Sequence, residues 1–125
     1  MINKRAVHEI VLFIENDANL YRQMYTPIVI NYAKKVIAKT YNHEKAVKGV
    51  VNLVDEGIRR YRKEFGVEGA REYGLGPGVS METKIAAAKE ILSGMKEEIR
   101  GQVEKMKKEK SKARKPEARK PARRK

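Results

Sequence analysis

The stretch from Asn42 to Gly66 constrains the fold of this chain more than any other. Read at helical spacing, Ala46, Val47, Val50, Val51, Val54, Ile58, Tyr61 and Phe65 fall on one stripe. Lys45, Lys48, Asn52, Glu56, Arg59, Arg60 and Lys63 lie mostly around the back. Both ends are marked: Asn42 can accept a hydrogen bond from an early amide, Glu44 sits near the positive end of the helix dipole, and Gly66 can close the last turn in a left-handed conformation. At about 1.5 Å per residue, such a helix is a rod of roughly 34 Å, long enough to floor a small domain.

The segments before it carry the same period. Val7, Ile10, Val11 and Ile14 repeat at i, i+3, i+4, i+7, with Leu12 and Phe13 partly off that face, so this helix can be covered from two sides. The β-branched wording of Val7 to Ile14 also allows a short strand. Glu15-Asn16-Asp17 can end one helix and cap the next, whose apolar edge is Leu20, Tyr21 and Met24 and which stops before Pro27. Thr26-Pro27 reads as a fresh helix start, leading to about Lys39 with Val29, Ile30, Ala33, Val36 and Ile37 inward. The short link Thr40-Tyr41-Asn42 predicts a helical hairpin with the long stretch that follows.

After Gly66 the texture changes. Gly66, Gly69, Gly74, Gly76 and Gly78 with Pro77 form a connector in which regular structure is hard to sustain, apart from a turn through Glu68 to Tyr73. Ser80 then caps a helix whose Ile85, Ala88, Leu92, Met95, Ile99 and Met106 recur in a heptad-like pattern, broken at Gln102 and weakened by Gly94 and Gly101. This stripe is a poor isolated coiled coil and is expected to pack on the preceding helices. From about Lys107 the apolar repeat ends, and Pro116 and Pro121 argue against a continuing helix. The expected fold class is therefore all-α: a small helical bundle of three helices within 1–66, a Gly-rich connector at 66–79, a long fourth helix, and a disordered basic C-terminal tail. The domain would span 1–106 and the tail 107–125.

Charge divides along the same line. The chain carries a formal +13. Lys105 to Lys125 holds twelve Lys or Arg against Glu109 and Glu117, whereas residues 1–104 hold seventeen basic against fourteen acidic side chains. The folded part is nearly balanced and the tail is not. Lys107, Lys108, Lys110, Lys112, Arg114, Lys115, Arg119, Lys120, Arg123, Arg124 and Lys125, spaced by Ala and Pro, compose a flexible cation suited to lie along phosphates and release their counterions. Ala-Arg-Lys-Pro occurs at 113–116 and again at 118–121. By composition this tail is similar to those of linker-histone-like proteins. No aromatic lies beyond Tyr73, so the tail has nothing to stack on bases and no means of reading sequence. The plainer role for such an extension is to keep the protein soluble.

Composition closes other routes. With no cysteine there are no disulfides, thiolate metal sites or cysteine nucleophiles. With no tryptophan and two phenylalanines, the core must lean on Val, Ile, Leu and Ala. No apolar run is long enough to cross a bilayer and no cleavable leader is evident, so a cytoplasmic protein without a membrane partner is expected. Gly74-Leu75-Gly76-Pro77-Gly78 fails both phosphate-loop patterns: Val79 stands at the sixth place of the dinucleotide motif, and Leu75 stands where a P-loop needs lysine. His8 and His43 lie in separate helices with no metal-ligand spacing. Ser80, Ser93 and Ser111 have cap or surface explanations, and Glu15-Asn16-Asp17 and Asp55-Glu56 read as a helix junction and a helix surface. No catalytic residue, cofactor or metal is expected, and the chain reads as non-enzymatic. A folded contact patch could come from Lys34, Lys35, Arg59, Arg60 and Arg62, which accompany several tyrosines. Tyrosines at the rim of a tryptophan-free core need no ligand to explain them.

The segments Val7-His8-Glu9-Ile10, Ile14-Glu15-Asn16-Asp17, Leu20-Tyr21, Pro27-Ile28, Tyr41 to Lys48, Leu53-Val54-Asp55 and Lys63 to Gly66 resemble a small uncharacterised family of bacteriophage and environmental proteins, over residues 7–66. The resemblance implies a viral or bacterial origin and no established activity. The functional expectation is a nucleic-acid-associated accessory factor acting through its tail. The alternative is a protein-interaction module, or self-association, using the 85–106 apolar stripe.

Overall fold

A computed structural model of the chain describes residues 2–119, with side chains placed through Glu109. Among the described residues there are four helices and no strand: α1 (Lys4–Asn16), α2 (18–37), α3 (His43–Glu72) and α4 (Met81–Arg119). The expected all-α bundle is the fold that forms, and Val7 to Ile14 is helical. Of the anticipated caps, Asp17, Asn42 and Ser80 are in place and Thr26 is not, while Asn3 adds one that the sequence reading did not name. Asn3 accepts from the Ala6 amide at 3.1 Å, Asp17 from Leu20 at 3.0 Å, Asn42 from Lys45 at 3.1 Å and Ser80 from Thr83 at 3.1 Å. Each satisfies one of the amides that a helix start leaves without an internal partner.

Three helix boundaries differ from expectation, one being the end of α4, which keeps helical backbone through Pro116 to Arg119 instead of stopping near Lys107. Ala18–Leu20, Tyr21–Tyr25 and Thr26–Ile37 form one continuous helix, α2, rather than two helices divided at Pro27. The middle segment is a π-turn in which the Thr26 amide donates to the Tyr21 carbonyl. A proline inside an α-helix lacks its own amide donor and crowds the carbonyl four residues back, here that of Gln23. The widened turn falls around that carbonyl, so α2 continues where an ideal helix would break. The third difference is at Gly66, where the backbone leaves helical geometry (φ 79°, ψ 163°) but resumes it to Glu72. The true stop is Gly74 (φ 76°): Leu75 donates to the Ala70 carbonyl at 2.8 Å, and both residues are fully buried. This is a Schellman-type ending, which requires a residue at ease with positive φ.

The connector is pinned as well. Arg62 donates from Nε to the Leu75 carbonyl at 2.8 Å and from Nη2 to the Gly76 carbonyl at 2.7 Å.

The core is built around α4. It packs on α3, α2 and α1, whereas α2 and α3, joined by a short link and expected to form a hairpin, make little direct contact. Ala87, Ala88, Ile91, Leu92 and Met95 are buried, and the two alanines let neighbouring backbones come close. Polar contacts fix the register. The Asn3 amide donates to Thr83 Oγ1 at 3.1 Å, Lys84 Nζ lies 2.8 Å from Asp55, and the hydroxyls of Tyr21 and Tyr25 donate to the two oxygens of Glu98 at 2.7 and 2.9 Å. These pairings run α4 parallel to α1 and antiparallel to α3. Opposite α4, α1 lies against α3 where Gly57 has no side chain. A Cβ there would stand 2.6 Å from Ile14, so this glycine sets how closely the two helices approach.

The stripe on α3 was legible, with exceptions. Ala46, Val47, Val50, Val54, Ile58 and Tyr61 are buried, but Phe65 is 51% exposed and Val51 only half-buried, while Leu53, assigned to neither face, is fully buried. Leu12 on α1, expected to meet a second layer, is 44% exposed.

Candidate nucleic-acid interface

The cationic extension begins as a continuation of α4. Lys107 and Lys108 are exposed on that helix. Lys110, Lys112, Arg114, Lys115 and Arg119 follow on helical backbone, and their side chains lie outside the described set. Lys120, Arg123, Arg124 and Lys125 lie outside the described residues altogether, as do all of the last six residues of the expected loose tail.

The five basic residues of the expected folded patch are not brought together. Arg59 and Arg60 both bond Glu56, and Arg60 Nη2 also donates to Gln23 Oε1 at 3.0 Å. The two guanidiniums hold the Glu56 carboxyl down at about 2, with Arg59 the larger influence. Their charge is thus partly cancelled on site. Arg62 is spent on the two connector carbonyls. Lys34 and Lys35 are exposed on the last turns of α2, about three turns and roughly 16 Å along the helix from the Gln23–Arg60 contact.

The fold assembles a different cationic group, around Tyr41. Tyr41 lines a small depression together with Lys35, Lys45, Thr40 and Asn42. It also lines a groove of about 290 Å³ with Val36, Ile99, Val103, Lys96 and Arg100. The α2 C-terminus, the start of α3 and the outgoing part of α4 meet here. Lys107 follows one turn beyond Val103 on the same helix.

Tyr41 is held in place. Its ring meets the edge of Tyr32 at 5.9 Å and 75°, and the Tyr32 hydroxyl donates to the Ala46 carbonyl at 2.8 Å. Gly49 makes room for that hydroxyl, since a Cβ there would collide with it. Burial raises the Tyr41 hydroxyl above its ordinary titration range, so it stays a neutral aromatic with one donor. Arg100 also bonds Glu97 at 3.0 Å, but both side chains are largely solvated, where an ion pair is worth little and exchanges readily.

Sequence reasoning named Lys35 but missed Lys45, Lys96 and Arg100 as members of one group. Lys96 and Arg100 stand four apart, so their shared face on α4 could have been read. Nothing local signals that this face meets the α2–α3 link.

The remaining candidates are structurally engaged. Most of the apolar stripe of α4 is taken up by the body: Ala88, Leu92, Met95 and Ile99 are buried, leaving Ile85, Val103 and Met106 partly open. Asp17 serves as a cap, Asp55 pairs with Lys84, and Glu56 pairs with arginines. Among the described residues no three potential metal ligands gather, and no helix is long and apolar enough to cross a membrane. Comparison with known protein families, characterised proteins and solved structures returns no match for this chain.

Proposed function

We propose that this chain is a non-enzymatic protein that binds nucleic acid through its phosphate backbone, largely without regard to sequence, as a phage or bacterial accessory factor. The C-terminal cationic extension is the main contact, and the basic end of the bundle around Tyr41 extends it. The observation that carries this reading is the segregation of charge: most of the excess lies in the last fifth of the chain, attached to a body that is nearly neutral. A polyanion gains from such an arrangement through counterion release, and a body of low net charge neither adds to nor opposes that term. The position of Lys35, Lys45, Lys96 and Arg100 at the end where α4 leaves the body adds support, because a strand engaged by the extension would pass them.

The test is truncation after Met106. Full-length protein should bind a duplex and a single strand of equal length with affinity that falls steeply between about 50 and about 200 mM salt. The truncated chain should lose on the order of a hundredfold at the lower salt and show a much flatter dependence. Equal binding by the two chains would end this reading. Self-association or partner capture surviving the truncation would favour an interaction module instead.

A further inference from the structure

The groove beside Tyr41 has a composition that the extension lacks. Its lining is apolar and aromatic apart from two cations, Lys96 and Arg100, and Val36 within it is 39% exposed. At about 290 Å³ it lies at the lower end of small-ligand sites, which run from ~300 to ~1,000 Å³. That is room for a planar ring and too little for a peptide helix. A ligand that suits it must bring a flat, weakly polar face together with negative charge at more than one place, because Tyr41 is shared between the lining that holds Lys96 and Arg100 and the lining that holds Lys35 and Lys45. A nucleotide within a single strand has this form. A duplex does not, since its base faces are occupied by stacking and only its phosphates are on offer.

We propose that this groove seats one base of a single-stranded nucleic acid against Tyr41, Val36 and Val103, with the flanking phosphates on Lys96–Arg100 and Lys35–Lys45. This rests on the nucleic-acid reading above and adds to it a preference for unpaired strands. Tyr41 is ready for the role without rearrangement, being fixed from behind by Tyr32, so little ordering cost attends the contact.

The experiment uses the full chain and fluorescence anisotropy with a labelled oligo-dT strand and a duplex of the same length. Val36→Gln blunts the apolar lining at an exposed position, and Lys96→Gln with Arg100→Gln removes the charge from it. Circular dichroism confirms that each variant is folded. The wild type should prefer the single strand, and Val36→Gln should weaken oligo-dT by about tenfold, the scale of one lost base contact, while moving the duplex less than about twofold. Because the chain has no tryptophan, Tyr41→Trp supplies a single reporter, whose emission should be quenched by oligo-dT and not by the duplex.

Equal wild-type affinity for the two forms, an unchanged oligo-dT affinity in Val36→Gln, or equal quenching by both forms would overturn the base-seating inference while leaving the phosphate-binding reading intact. Competition by polyglutamate as effective as by oligo-dT would overturn it too, because charge alone would then account for the site. Failure of the wild type to bind either nucleic acid would instead remove the parent reading.

Discussion

Arg59, Arg60 and Arg62 on α3 and Lys35, Lys45, Lys96 and Arg100 around Tyr41 are both basic groups on one small body, but they do opposite things. The first group is turned inward on the protein's own acceptors: Glu56 for two of its members and the Leu75 and Gly76 carbonyls for the third. The second group makes few such bonds and surrounds an aromatic ring at the point where the cationic extension departs. What differs is the supply of acceptors nearby. A cation beside buried carbonyls, as Arg62 is, or one of two sharing a half-buried carboxylate, as Arg59 and Arg60 are, is held by the protein. A cation without such an acceptor, or paired only on the open surface as Arg100 is with Glu97, remains available to a ligand.

The largest effect that would test this contrast is on stability. Arg62→Ala leaves two buried carbonyls without their charged donor and should cost about 2 kcal/mol, read as a lower urea midpoint. Its nucleic-acid affinity per folded molecule should not change. A loss of affinity without a loss of stability would place Arg62 with the ligand-facing group.

A smaller effect is expected at Glu56, where the comparison can be partly reversed. Glu56→Gln releases Arg59 and Arg60 and should raise affinity for a duplex by about two- to fivefold at low salt. The same change has a pH signature. The folded carboxyl titrates at about 2, below its ordinary 4.5, so its stabilising contribution is full above pH 4.5 and is lost as pH falls toward 2. An acid titration of stability should therefore fall less in the variant than in the wild type across that window. The difference should stay below about 1 kcal/mol because Arg59, the larger influence on Glu56, is 64% exposed and solvent screens the pair.

The smallest effect concerns whether the body and the extension are coupled. Gly101 lies on the outgoing part of α4 with open space where a Cβ would be. Gly101→Ala should stabilise that helix by about 0.5 to 1 kcal/mol, visible as a modest rise in melting temperature. If affinity for nucleic acid rises in step, the stiffness of the outgoing helix contributes to binding.

Much of this was readable residue by residue. Asp17, Asn42 and Ser80 act as caps because their side chains serve amides three residues away, an interaction that needs no distant partner. The stripe from Ala46 to Tyr61 was likewise readable because period alone decides which side of a helix is greasy. Pro27 misled because a break and a widened turn relieve the same clash, and only packing along the whole of α2, from Leu20 to Ala33, selects the second. Leu53 and Phe65 misled because a stripe tells which face is apolar and not how wide a neighbour will cover it. At the candidate interface, the extension was visible as composition, but the group around Tyr41 was not, since its four cations come from three separate helices.

From the sequence alone follow the helices, their caps and the separation of a nearly neutral body from a cationic end. Those depend on contacts within a few residues and on simple charge. Tertiary structure alone decided that α4, and not the long α3, occupies the middle, that the α3 arginines are held by the protein itself, and that Tyr41 lies beside Lys35, Lys45, Lys96 and Arg100. The physical reason is that neutralisation and burial depend on which side chains become neighbours across helices, and no local period specifies that.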